Sequence, residues 1–192
     1  MLTDTSHRVR LYRTLLHSQS VTLFGTGLVF PFYVVFISQT GASFSEFGLA
    51  YALFAAASAL VHKYSGVFSD RWGCKPLLLF HNWASAVLFL FFPLVETMIQ
   101  VYVLQILLGV VGAMHKTGEK SIVADCTRVE ARGEDIGIYH GWIALASALA
   151  IMVGGILIDL FDITIIFYLG SLILFVSGLL VFKIPESYEA TL

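Results

Sequence analysis

The chain has 192 residues, 58% of them hydrophobic and 12% charged, with a formal net charge of −2 and a mean hydropathy of +0.85. That composition lies well outside the range of soluble globular domains, so most of the surface must face lipid. Beyond Arg8, Arg10 and Arg13 there is no basic stripe, which argues against a nucleic-acid partner.

Those three arginines belong to an N-terminal arm, residues 1–19, and read as a topological anchor ahead of the first apolar helix. That helix is long and ends without a small-residue cleavage signature, so a cleaved signal peptide fits poorly. At about 1.5 Å of rise per residue, a hydrocarbon core of roughly 30 Å needs about 20 apolar residues. Six segments qualify, over residues 20–39, 47–66, 75–95, 97–120, 135–160 and 163–182, within a bundle of residues 20–183 and before a tail of residues 184–192. The pattern predicts an all-α polytopic membrane protein with six transmembrane helices.

In the first segment Pro31 removes a helical hydrogen bond and predicts a kink near the middle, of use in gating or as a static bend. Between the second and third segments, Gly66 to Lys75 concentrates charge and two glycines in a turn. The third holds His81 and Asn82 and the fifth holds His140, for which interface hydrogen bonding is the safer reading. These histidines are too widely separated, and too short of acidic companions, to suggest a metal site. No cofactor is called for.

The fourth segment ends in His115, Lys116, Glu119 and Lys120. The apolar run before them covers only about 26 Å of helix, so they are expected to emerge at the cytoplasmic interface, with Lys116 pairing to Glu119 one turn on. A gating or proton-linked role for Glu119 is the alternative. Gln105 lies near the midpoint of the run, where an unpaired amide is costly, and should face another helix or a wet cavity. Thr22, Thr26, Ser58 and Gln105, with Pro31, Phe54 and Trp142, are the candidates for a solute cavity; ordinary interhelical packing is the competing use of each.

All eleven lysines and arginines fall in the N-terminal arm, at the second and fourth connections, or at Lys183. The first, third and fifth connections carry Glu46, Glu96, Asp159 and Asp162 instead. The positive-inside rule then places both termini, and the loops holding Cys74 and Cys126, in the cytoplasm with both thiols reduced.

As an ordered set these features resemble the N-terminal six-helix half of a major facilitator superfamily transporter, or a stand-alone half-length member. Gly66, Asp70, Arg71, Gly73 and Lys75 resemble that family's signature loop after the second helix, with Ser69 where a small residue is usual. Asp125, Arg132, Gly133 and Gly137 resemble the polar segment leading into its fifth helix, and Gly154, Gly155 and Asp159 the small-residue exit of that helix. The resemblance implies secondary transport of a small solute by alternating access, with Asp70, Arg71 and Lys75 in a cytoplasmic gate whose partners are Lys116, Glu119, Asp125, Arg128 and Arg132. Gln105 departs from the pattern, since many proton-linked exporters carry arginine four residues before the glycine matching Gly109.

The resemblance also implies a second six-helix bundle, supplied by a parallel homodimer or by a different half. A bacterial or archaeal plasma membrane is the expected setting. The competing class is a non-transporting scaffold, assembly factor or truncated remnant. An enzyme is disfavoured because no nucleophile, base and orienter come together in the sequence, and a channel shows no readable selectivity ring.

Overall fold

The protein is described by a computed structural model covering residues 2–39, 41–128 and 130–184, with side chains from residue 9 onward. The side chain of Arg8 and the expected tail beyond Ile184 lie outside the described residues. The elements are α1 (Leu2–Val29), a 3-10 turn at Phe30–Phe32, α2 (Tyr33–Gln39), α3 (Phe44–Trp72), α4 (Lys75–Phe91), α5 (Met98–Cys126), α6 (Arg132–Leu160) and α7 (Thr164–Val181). Six candidate spans result, α1 and α2 together forming the first and α3 to α7 the second to sixth. The fold is all-α, with no strand among the described residues.

Local chemistry sets the breaks. Ser43 caps α3, its backbone N–H donating to Glu46 Oε2 at 2.9 Å while Glu46 N–H returns to Ser43 Oγ at 3.3 Å. Gly73 ends the same helix at φ 80°, a left-handed conformation that glycine adopts without a Cβ penalty, and its N–H bonds to Ser69 O at 2.9 Å. Pro76 then sits in the first turn of α4, where its missing N–H costs nothing. The turn between the second and third spans is therefore much shorter than the charged stretch from Gly66 suggests: α3 stays helical through Trp72.

Pro31 does interrupt the first span, as a 3-10 turn between α1 and α2. The break lies toward the far end of the span rather than its middle, because residues of the expected N-terminal arm are themselves helical from Leu2.

The helices form a bent row in which α3 packs on α5, α5 on α4, α4 on α7, α7 on α1 and α1 on α6. α3 and α6, at its two ends, are the least buried spans. Close approach of α3 to α5 depends on Gly109, where any Cβ would drive into the carbonyl oxygen of Phe54. Aromatic rings consolidate the core toward the non-cytoplasmic end expected from the charge pattern, with Phe92 and Phe167 stacked at 5.1 Å between centroids and Phe36 edge-on to Phe167 at 4.9 Å.

Candidate functional site

A cavity of about 250 Å³ lies within the bundle. α1 and α5 touch each other little and form its two walls, while α4 supplies a buried back through His81, Ser85 and Phe89. Phe54 of α3 flanks one side and Ser147 of α6 the other. Gly27, Phe30 and Pro31 join the lining where the first span breaks, so the proline-induced turn shapes the cavity wall.

Of the residues anticipated for such a cavity, Thr22, Thr26, Pro31 and Phe54 come together in its lining. Ser58, Gln105 and Trp142 are not part of it. Gln105 is buried against other helices, beside Tyr33, and Trp142 is exposed on α6. Thr22 also belongs to a buried polar cluster, with its hydroxyl 2.7 Å from Ser177 Oγ and 3.0 Å from Asn82 Oδ1. Ser177 in turn donates to Ser18 O at 2.9 Å, so the cluster ties α1, α4 and α7 together. Interhelical bonds of this kind contribute about 0.6 kcal/mol each in a bilayer.

His81 and His115, from different spans, lie side by side on the cavity wall, their ring centroids 4.3 Å apart and their planes inclined at 32°. His81 donates through Nδ1 to the Val111 carbonyl at 3.1 Å. His115 Nε2 lies 2.7 Å from the amide oxygen of Gln19, a fully buried side chain whose own amide nitrogen has no partner among the described residues. His115 is buried within the bundle, and α5 continues beyond it through Cys126. Sequence spacing offers no sign of this pair, because it depends on how α4 and α5 are rotated about their axes.

Lys116 lines the same cavity and makes no ion pair with Glu119. Glu119 instead accepts a 2.8 Å hydrogen bond from Tyr139 of α6. The other cytoplasmic candidates form no single cluster. Arg128 holds Asp135 at the start of α6 with Nη2 to Oδ1 at 2.6 Å and lies 3.7 Å from Glu134, and Asp135 raises the guanidinium above its ordinary pKa. Asp125 and Arg132 are exposed and make no ion pair among the described residues.

In the signature turn, Lys75 Nζ donates to the carbonyl oxygens of Phe182 at 3.0 Å and Ile184 at 2.9 Å, closing the C-terminal end of α7 rather than meeting a carboxylate. Arg71 lies over the Trp72 ring at 5.7 Å. Ser69 Oγ is 3.3 Å from Cys74 Sγ, and burial pushes the Cys74 thiol pKa up. Gly66 lies within α3 with open space around it. Asp70 is exposed, has no hydrogen bond or ion pair among the described residues, and does not cap α4.

A model of the Major Facilitator Superfamily matches residues 15–192. The chain belongs to that superfamily. It is 44% identical over 160 residues to the uncharacterized MFS-type transporter YitZ of Bacillus subtilis (strain 168), an alignment covering 83% of this chain and 98% of the relative. An uncharacterized MFS-type transporter MJ1560 of Methanocaldococcus jannaschii is 28% identical over 147 residues, 77% of this chain and 38% of the relative. A tetracycline resistance protein, class B, of Escherichia coli is 26% identical over 157 residues, covering 80% and 37%. The chain thus spans about two fifths of the latter two relatives. Membership places the protein among MFS-type transporters rather than enzymes. Among the described residues no group of three or more His, Cys, Asp or Glu could hold a metal ion.

Proposed function

We propose that the protein moves a small solute across the membrane by alternating access, with the cavity between α1 and α5 as this bundle's share of the solute site. The observation that carries the proposal is the cavity itself, a half-open recess between two helices of a bundle from a transporter family. Its volume of about 250 Å³ falls below the roughly 300–1,000 Å³ of drug-sized pockets, as suits a site that a second surface completes.

That surface is a second six-helix bundle. Transporters of this architecture place two such halves around an axis along the membrane normal, with solute held between them. The row of helices here leaves α3 and α6 largely bare at its ends, the positions from which a partner bundle could be gripped. The relative from Bacillus subtilis, matched across 98% of its length by one bundle, supports two copies of the same chain as the simplest assembly. With both termini in the cytoplasm, as the lysine and arginine distribution favours, the two copies stand parallel in a bacterial or archaeal plasma membrane. The aromatic lining favours an amphipathic or hydrophobic solute, and the relatives named for tetracycline and multidrug resistance incline the direction toward export.

Gly112 provides the test. It lines the cavity, and a Cβ there would meet only the Phe54 ring at ordinary contact distance, 3.6 Å, so a larger side chain would fill the space without breaking the helix. In proteoliposomes, Gly112→Leu is expected to insert normally and to lose most of the flux found for any solute that the parent carries. Undiminished flux would show that solute takes another route. Mass measurement of the intact complex from a mild membrane mimic should give two chains; a monomer that still transports would rule the dimer out.

A further inference from the structure

The cavity is polar at one end and apolar at the other, and the same gradient appears on three helices. On α1, polar Thr22 precedes Phe30 and Pro31; on α4, His81 precedes Phe89; on α5, which runs the opposite way, Leu108 precedes His115 and Lys116. In each case the two ends lie seven to nine residues apart, about 10–14 Å of helix. The reversal of chain order on α5 matters: antiparallel helices must reverse their sequence pattern to place like chemistry at one depth, and these do.

Charge gives the polar end a sign. Among the described residues lining the cavity, Lys116 alone carries a formal charge, and no aspartate or glutamate accompanies it. Glu119, the nearest carboxylate along α5, is turned to Tyr139 and is not part of the lining. The paired imidazoles lie at the same end, with Gln19 behind His115 as an amide whose nitrogen has no acceptor among the described residues. An organic cation placed there would meet a like charge with no counter-charge to offset it, whereas an anionic head would find an ammonium. If the partner is a second copy of this chain, it adds the same lining and again no carboxylate.

We infer that the cavity takes small amphiphiles with an anionic head, such as aromatic carboxylates, the head lying beside Lys116 and the apolar body against Phe30, Phe54 and Phe89, and that it discriminates against organic cations of the same shape. The inference rests on the cavity being the solute site, and it narrows the amphipathic class proposed above to one charge.

Three probes of nearly equal size separate the charge preference from the existence of the site: benzoate, benzyl alcohol and benzylammonium. Binding would be measured by calorimetry on the full chain in lipid nanodiscs, with empty nanodiscs as the blank. Benzoate is expected to bind at least about fivefold more tightly than benzylammonium, the scale of a single incompletely screened charge contact. Lys116→Gln should bring the benzoate to benzyl alcohol affinity ratio close to one, while Lys116→Arg should keep the parent's ratio. Benzylammonium binding as tightly as benzoate, or a ratio unaltered in Lys116→Gln, would overturn the charge preference and leave the cavity standing as a solute site. Absence of binding by all three to a protein with intact helical circular dichroism would overturn both.

Discussion

Asp70 stands exposed in the signature turn with no hydrogen bond or ion pair among the described residues, while its neighbour Lys75 closes the end of α7. The two charges of one motif therefore differ: Lys75 fastens the bundle to itself, whereas Asp70 has no partner among the described residues. Because Asp70 supports no contact among the described residues, Asp70→Ala should change stability by no more than about 0.5 kcal/mol. If its carboxylate engages the opposing bundle in one conformation, the same substitution should lower flux roughly 5- to 100-fold, the usual span of a coupling between states. Thermal unfolding and proteoliposome flux on the same preparation check both halves, and unchanged flux would remove Asp70 from the gate. Gly73 was legible in advance as the residue that keeps this turn tight, but the turn's length and the partners of Lys75 were not, because the charge pattern carries no sign of α3 staying helical through Trp72 or of where α7 ends. Nor was the His81–His115 contact legible, because neither histidine carries any mark of the helix rotation that brings the two rings together.

At the level of helices, the neighbour relations have a symmetry. Exchanging spans one, two and three with four, five and six turns the α3–α5 contact into α6–α1 and the α4–α5 contact into α7–α1, and leaves α4–α7 unchanged. The bundle thus behaves as two three-helix units, the internal repeat seen in transporters of this architecture. α3 is held to the rest chiefly through α5, and that seam is as close as the missing side chain of Gly109 allows. Gly109→Ala should therefore force α3 outward and cost about 1–3 kcal/mol, the penalty of overpacking a tight contact. A lowered unfolding midpoint in detergent is the expected result, and an unchanged midpoint would show that the seam tolerates a methyl group. Hydropathy made the six spans legible because the bilayer imposes a minimum apolar length. It placed their ends poorly: α3 and α5 continue to Trp72 and Cys126, past the apolar runs, because a helix satisfies its own backbone hydrogen bonds whether or not it faces lipid, and α5 still buries Ile122, Val123 and Cys126 there.

Across the whole molecule, buried surface is concentrated in the first, third, fourth and sixth spans, and α3 and α6 remain open. In lipid a partner-facing stripe and a lipid-facing stripe are both apolar, so composition alone could not say which residues await a second bundle, or that Trp142 would lie outside the cavity. Alternating access requires that solute reach the cavity between α1 and α5 from each side of the membrane in turn. Ser147 lines it from α6 and is partly buried, which makes Ser147→Cys a reporter once the native Cys74 and Cys126 are replaced. A membrane-impermeant maleimide should label that cysteine in right-side-out vesicles and, separately, in inverted ones, because both open states are visited. Labelling from one side only, with the opposite face inaccessible under every condition tried, would contradict alternating access through this cavity.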